Sequence, residues 1–168
     1  PFGQEIHSLA WDNLSRTFYC IITGDEGMWI AEVDSLHDIK SVTRPAYITL
    51  SNLRAKDGRL YYGSIASGRD EIHCYDIATK RKYQLTTSRY GSFDAAPAAN
   101  GEILLTSYAS QGYLPARQRE DKIWQEVEYA STPKEVVNPP FEKWDVINLD
   151  TIKISQADTA AMTSPLKT

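Results

Sequence analysis

The chain repeats itself. Ile30, Ile72 and Leu114 open the segments IAEVD, IHCYD and LPARQ and stand 42 residues apart. Phe18, Leu60 and Ile103, each the first strong apolar residue after a turn, follow at offsets of 42 and 43. The turns Asp12-Asn13, Asp57-Gly58 and Asn100-Gly101 keep the same phase. A unit of this length is one supersecondary element that buries its apolar surface against its neighbours, and roughly 40–45 residues is the length of a four-stranded propeller blade.

The clearest unit lies in 56–86, KDGRLYYGSIASGRDEIHCYDIATKRKYQLT. Turn chemistry at 56–58, 67–70 and 78–80 separates three apolar runs, which predicts a meander of strands. Ile48 begins the strand before it. The first unit is read as strands at 8–11, 17–22, 28–33 and 40–43, with Thr23-Gly24-Asp25-Glu26-Gly27 as a hairpin loop. The third is read as 94–98, 102–108 and 113–117, with 124–129 as its outer strand. Phe18-Tyr19-Cys20-Ile21-Ile22 and Ile103-Leu104-Leu105 do not alternate with polar residues, so both faces of those strands are expected to be covered. The outer-strand segments 38–43 and 80–86 are polar and Lys-containing, as sheet edges tend to be.

The chain of 168 residues has 42% hydrophobic and 24% charged residues, a globular balance with room for one domain. A net charge of −4 with no Lys/Arg block is not the profile of a nucleic-acid binder. The longest apolar runs fall far short of a membrane span. No basic region followed by an apolar run opens the chain as a signal peptide would. It begins at Pro1 rather than a methionine, and on this reading it is a piece of something longer. Cys20 and Cys74 sit inside apolar runs and are expected to be buried free thiols.

The segment 56–86 resembles the TolB-type, WD-repeat-like propeller repeat. Lys56-Asp57-Gly58 stands at its first turn, without the proline, Ile72-His73-Cys74-Tyr75-Asp76-Ile77 at its third strand, and Gln84-Leu85-Thr86 at its Leu-Thr close. The first unit departs from the pattern: Trp11-Asp12-Asn13 has no glycine, and Ser41-Val42-Thr43 replaces Leu-Thr. The third keeps Pro97-Ala98-Ala99-Asn100-Gly101 and drifts after Gly112. The resemblance covers 6–117. It implies a fragment of a larger bacterial cell-envelope or outer-membrane protein, with a periplasmic or envelope location.

No constellation of catalytic residues emerges. His7, His37 and His73 share no ligand spacing, and His73 beside Cys74 on one strand puts adjacent side chains on opposite faces. His73 is read as structural. Gly24-Asp25-Glu26-Gly27 offers two carboxylates, too few for calcium, and reads as a turn. There is no G-x-S-x-G elbow and no phosphate-cradling glycine loop before a helix. The chain is therefore read as neither a metal nor a cofactor binder. What remains is the loops: Asp25 and Glu26, Arg69 and Asp70, and Gln111 between second and third strands, with Arg44 and the pair Arg89-Tyr90 between units. Loops on a rigid scaffold commonly carry binding, and Arg and Tyr favour hot spots, although a merely solvated loop face is the plainer reading.

The expectation is an all-β partial β-propeller, about two and a half to three four-stranded antiparallel blades, at 6–46, 47–92 and 93–128. A Pro-containing extended connector follows at 129–168. Three blades cannot close, so the rest would come from the same chain or from a homo-oligomer. The leading function is a non-catalytic scaffold or protein-interaction module. The alternatives are the lid propeller of a serine oligopeptidase-type enzyme whose catalytic domain lies elsewhere, and a saccharide-active lyase or hydrolase using inner-strand residues such as Ser51, Asn52 and Asp94.

Overall fold

A computed structural model of the chain describes residues 3–34, 38–119 and 125–127, all within one compact unit. The connector 129–168 and His37 lie outside the described residues. The described residues form strands and no helix, arranged as three antiparallel sheets. The first sheet is a meander of β1 (Glu5–Asp12), β2 (Thr17–Gly24), β3 (Gly27–Val33) and β4 (Ile39–Ser41). The second holds β5 (Leu50–Lys56), β6 (Arg59–Ser64), β7 (Glu71–Asp76) and β8 (Arg81–Gln84) in the same order. The third holds β9 (Ser92–Pro97), β10 (Glu102–Ala109) and β11 (Gly112–Arg119).

The sequence repeat is also a repeat of register. Phe18 pairs with Val33, Leu60 with Tyr75 and Ile103 with Gln118, so each anchor meets the residue 15 positions on. The first strand of each sheet carries a register shift and one non-glycine residue with positive φ: Ser8 (44°), Asn52 (51°) and Asp94 (57°). Short polar side chains are the non-glycine residues best suited to that region. The closing threonines act alike. The Thr43 hydroxyl accepts the Ile30 N–H and the Thr86 hydroxyl accepts the Ile72 N–H, both at 2.9 Å. Each thus supplies an acceptor to a buried third-strand amide.

The second sheet lies between the other two. Leu60, Tyr62 and Tyr75 pack towards the first sheet with Tyr19, Ile21 and Ile30. Tyr61, Ile72 and Cys74 pack towards the third with Ala95 and Ile103. This double covering is the physical reason β6 and β7 are apolar without alternation, and burying each large side chain contributes roughly 1.5–3 kcal/mol. Cys20 and Cys74 are buried and free, as expected.

Two expectations need correction. The segment around 124–129 does not close the third sheet. Gln125–Glu126 forms β12, a fifth strand on the outer edge of the second sheet, where Gln125 pairs with Gln84 and Glu126 with Tyr83. Glu126 lies 3.6 Å from Arg81, and Val127 N–H donates to Lys82 C=O, so the basic edge of β8 attracts the acidic segment. The third sheet is three-stranded among the described residues, and the 93–128 unit is divided between two sheets. Nor is Ile103-Leu104-Leu105 covered on both faces: Ile103 and Leu105 are buried, but Leu104 is 49% exposed.

His73 is wholly buried and stacks on Tyr62 with ring centroids 5.9 Å apart. Burial lowers its pKa from 6.5 to about 4. The folded form keeps it neutral while the unfolded chain takes up a proton below the ordinary value. Its contribution is therefore complete above about pH 6.5 and is lost as the pH falls towards 4. We expect roughly 2.5 kcal/mol less stability at about pH 4.5 than at pH 7 from this residue. Urea midpoints across that window should fall, and His73→Phe should flatten the fall. An equally steep fall in His73→Phe would assign the effect to other groups.

Candidate functional loops and their supports

The hairpin loops between second and third strands, and the connections between sheets, are held by specific bonds. Asp25 and Glu26 are exposed at the β2–β3 tip, where the Tyr47 hydroxyl donates to Asp25 C=O at 2.9 Å. Next to this tip, Met28 and Ala46 exchange backbone bonds of 2.8 and 3.0 Å, fastening the β4–β5 connection to the hairpin. Arg69 and Asp70 are exposed at the β6–β7 loop, and Asp70 C=O accepts the Ser92 N–H at 2.7 Å. Arg89 and Tyr90 are exposed on the β8–β9 connection, with the Arg89 guanidinium 5.1 Å from the centroid of the Tyr90 ring. Gly91 C=O accepts Tyr108 N–H at 3.0 Å, joining this connection to the strand that leads to Gln111. Arg69, Asp70, Arg89, Tyr90 and Gln111 thus belong to one linked set of loops, and Asp25 and Glu26 to another. Arg44 instead lines a cleft with the outer edge of the second sheet.

Glu71 is the residue that sequence reasoning passed over. It is wholly buried, and its two oxygens accept from the Thr86 hydroxyl at 2.6 Å, the Ser88 N–H at 2.7 Å and the Ser88 hydroxyl at 2.9 Å. Ser88 Oγ in turn accepts the Gly91 N–H at 2.9 Å. One carboxylate therefore sets the path of the loop that presents Arg89 and Tyr90. A carboxylate just before an apolar strand, with Thr and Ser some 15 residues later, is the signal that was available.

At the other end of the strands Asp12 plays a similar part. Its carboxylate accepts Ser15 N–H at 2.8 Å and Gly58 N–H at 3.0 Å, linking the turns of the first two sheets. Burial works to raise its pKa, but the hydrogen bonds from Ser15, Gly58 and Leu14 prevail and hold it below the usual carboxylate value. The Lys56 ammonium donates to Ala98 C=O, linking the second and third sheets at the corresponding turns. Along the first strands, Ser8 Oγ accepts Leu53 N–H at 2.8 Å and Asn52 Nδ2 donates to Asp94 Oδ1 at 2.6 Å. Asn52 and Asp94 are exposed, while Ser51 is half-buried with its hydroxyl against Gly63.

The loops offer mixed charge, amide and aromatic surface, which suits recognition. Among the described residues, no three His, Cys, Asp or Glu side chains gather as a metal site, and no helix is long and apolar enough to cross a membrane. No family model matches the chain, and no curated protein matches it.

Proposed function

We propose that the three sheets are consecutive blades of a TolB-type β-propeller acting as a non-catalytic, protein-binding scaffold in a bacterial cell envelope. The remaining blades come from the same chain or from a second copy. The observation that carries this reading is the common register: each sheet pairs its anchor with the residue 15 positions on, and each first strand turns at a left-handed polar residue. Uncovered apolar surface at both ends of the stack supports further blades. Leu9 and Phe18 are exposed on the first sheet, and Leu104 and Tyr113 on the third. The binding face is the loop set around Arg69, Asp70, Arg89 and Tyr90, whose shape Glu71 fixes.

Titrating the purified chain with detergent-extracted envelope proteins tests this. Retention should saturate, and Arg89→Ala with Tyr90→Ala should weaken it about tenfold. Both side chains are exposed, so the melting temperature should hold. Retention that never saturates, or that the double variant leaves intact, would sink the reading.

A saccharide-binding reading has one observation in its favour, the exposed Asn52–Asp94 pair on neighbouring first strands. A carboxylate beside an amide offers the acceptors and donors that sugar hydroxyls use. An unchanged melting temperature across an oligosaccharide panel would remove it.

A further inference from the structure

We propose that the cleft between the β4–β5 connection and the outer edge of the second sheet binds a multiply charged oxyanion, a phosphate or polycarboxylate group. Residues 42–46 form one wall, residues 80–82 another, and Glu126 with Val127 complete the lining. The cavity measures about 500 Å³, within the range of small-molecule sites. Its existence depends only on the first two sheets and β12, and not on whether further blades complete a propeller.

The charge around this cleft runs against that of the whole chain. The chain carries −4, yet Arg44, Lys80, Arg81 and Lys82 converge here with Glu126 as the one carboxylate in the lining. Arg81 faces Glu126 at 3.6 Å. Arg44 and Lys80, both exposed, arrive from elements far apart in sequence and add positive charge to the same space. Ammonium and guanidinium groups have donors and no acceptors, so the group that satisfies several of them at once is an acceptor-rich anion. A cleft lined by one sign of charge also raises the local concentration of its counter-ion.

The walls are set in place before any ligand arrives. Thr43 is fixed by its hydroxyl bond with Ile30 N–H, and Ala46 by the two-way backbone bridge with Met28, so Arg44 projects from a short clamped segment. Lys80 has a φ of 58°, and its N–H donates to Asp76 C=O at 2.8 Å. The Asp76 carboxylate also accepts the Thr79 N–H at 2.8 Å, which holds that turn. The Tyr75 hydroxyl donates to Val42 C=O at 3.3 Å and ties one wall to the other. A site preorganised in this way loses little on ordering its backbone when it binds.

The experiment uses the whole chain and two probes that separate dissolved from membrane-borne anions. Pyrophosphate is titrated calorimetrically, and phosphatidylglycerol vesicles are compared with phosphatidylcholine vesicles by co-sedimentation. The site predicts saturable binding to pyrophosphate, to the anionic vesicles, or to both. Binding to pyrophosphate alone identifies a dissolved ligand, and binding to the anionic vesicles alone a lipid head group. Arg44→Gln combined with Lys80→Asn should weaken binding about tenfold or more. Asparagine tolerates the left-handed backbone at position 80, so circular dichroism and melting temperature should be unchanged. Arg69→Gln, outside the cleft, should leave binding as it was. Failure of both probes, or binding that the double variant leaves intact, overturns the proposal. So does an equal loss in Arg69→Gln, which would reduce the effect to general charge attraction.

Discussion

Gly27→Ala is expected to remove about 4 kcal/mol of folding stability, although it adds only one methyl group. Gly27 has a φ of +107°, which side chains rarely adopt. A Cβ there would overlap the Ala46 carbonyl oxygen and lie 2.6 Å from its carbon. Both are backbone atoms, and the adjacent Met28–Ala46 bridge holds them in place, so no rotamer change relieves the clash. The strand must back away from the β4–β5 connection, and the bonds of Met28 and Thr43 go with it. Urea denaturation of the variant should show a lower midpoint at an unchanged slope. Gly68→Ala is the control, because Gly68 also has a positive φ, +87°, but open space around it. It should cost only about 1 kcal/mol. If the two variants proved alike, the close approach at Gly27 would not be a constraint on the fold.

Glu71→Ala should be comparably damaging, at about 4 kcal/mol. The carboxylate is wholly buried and serves three donors. Truncation leaves the Ser88 amide and the Thr86 and Ser88 hydroxyls without their acceptor, and opens a small cavity. Glu71→Gln keeps the shape and one acceptor oxygen, so roughly half the loss is expected. Amide hydrogen exchange gives the local signature, with faster exchange at Ser88 and Gly91 in the alanine variant. A loss below about 1 kcal/mol with unchanged exchange would show that the connection is shaped by its backbone contacts alone.

The strands were legible in the sequence because their signals are local. Turn residues at 57–58 and 100–101, and an apolar residue opening each second strand, locate β6 and β10 to within a residue or so. The meander order followed from short connections. What was not legible depends on partners far away in the chain. Leu104 sits in an unbroken apolar run, yet only Ile103 and Leu105 face the second sheet, and no local pattern separates a covered face from an uncovered one. Gln125–Glu126 carries a weak strand signal that does not say which edge it will join. The choice of β8 rests on Arg81 and Lys82, over 40 positions earlier. The loop residues were found by type and position, and the supports beneath them were not. Glu71 reads as an ordinary strand flank until Thr86 and Ser88 are seen to fold back onto it. Arg44 was singled out as a loop residue, but its association with Lys80–Lys82 needed the sheets to be stacked.

The bonds that join neighbouring sheets share a grammar. Asp12 reaches a main-chain N–H of the next unit, Ser8 does the same, Lys56 reaches a main-chain carbonyl, and so does Gln118 towards Leu85. In each case one unit supplies a side chain and the other supplies only its backbone. The receiving unit is therefore free to change its residues at the junction, provided its strand keeps the same path. A copy of the repeat inserted by gene duplication would meet its new neighbour with half of every such junction already made. An array built on these terms lengthens more easily than one whose units must match side chain to side chain, and its units drift apart in sequence while remaining in step.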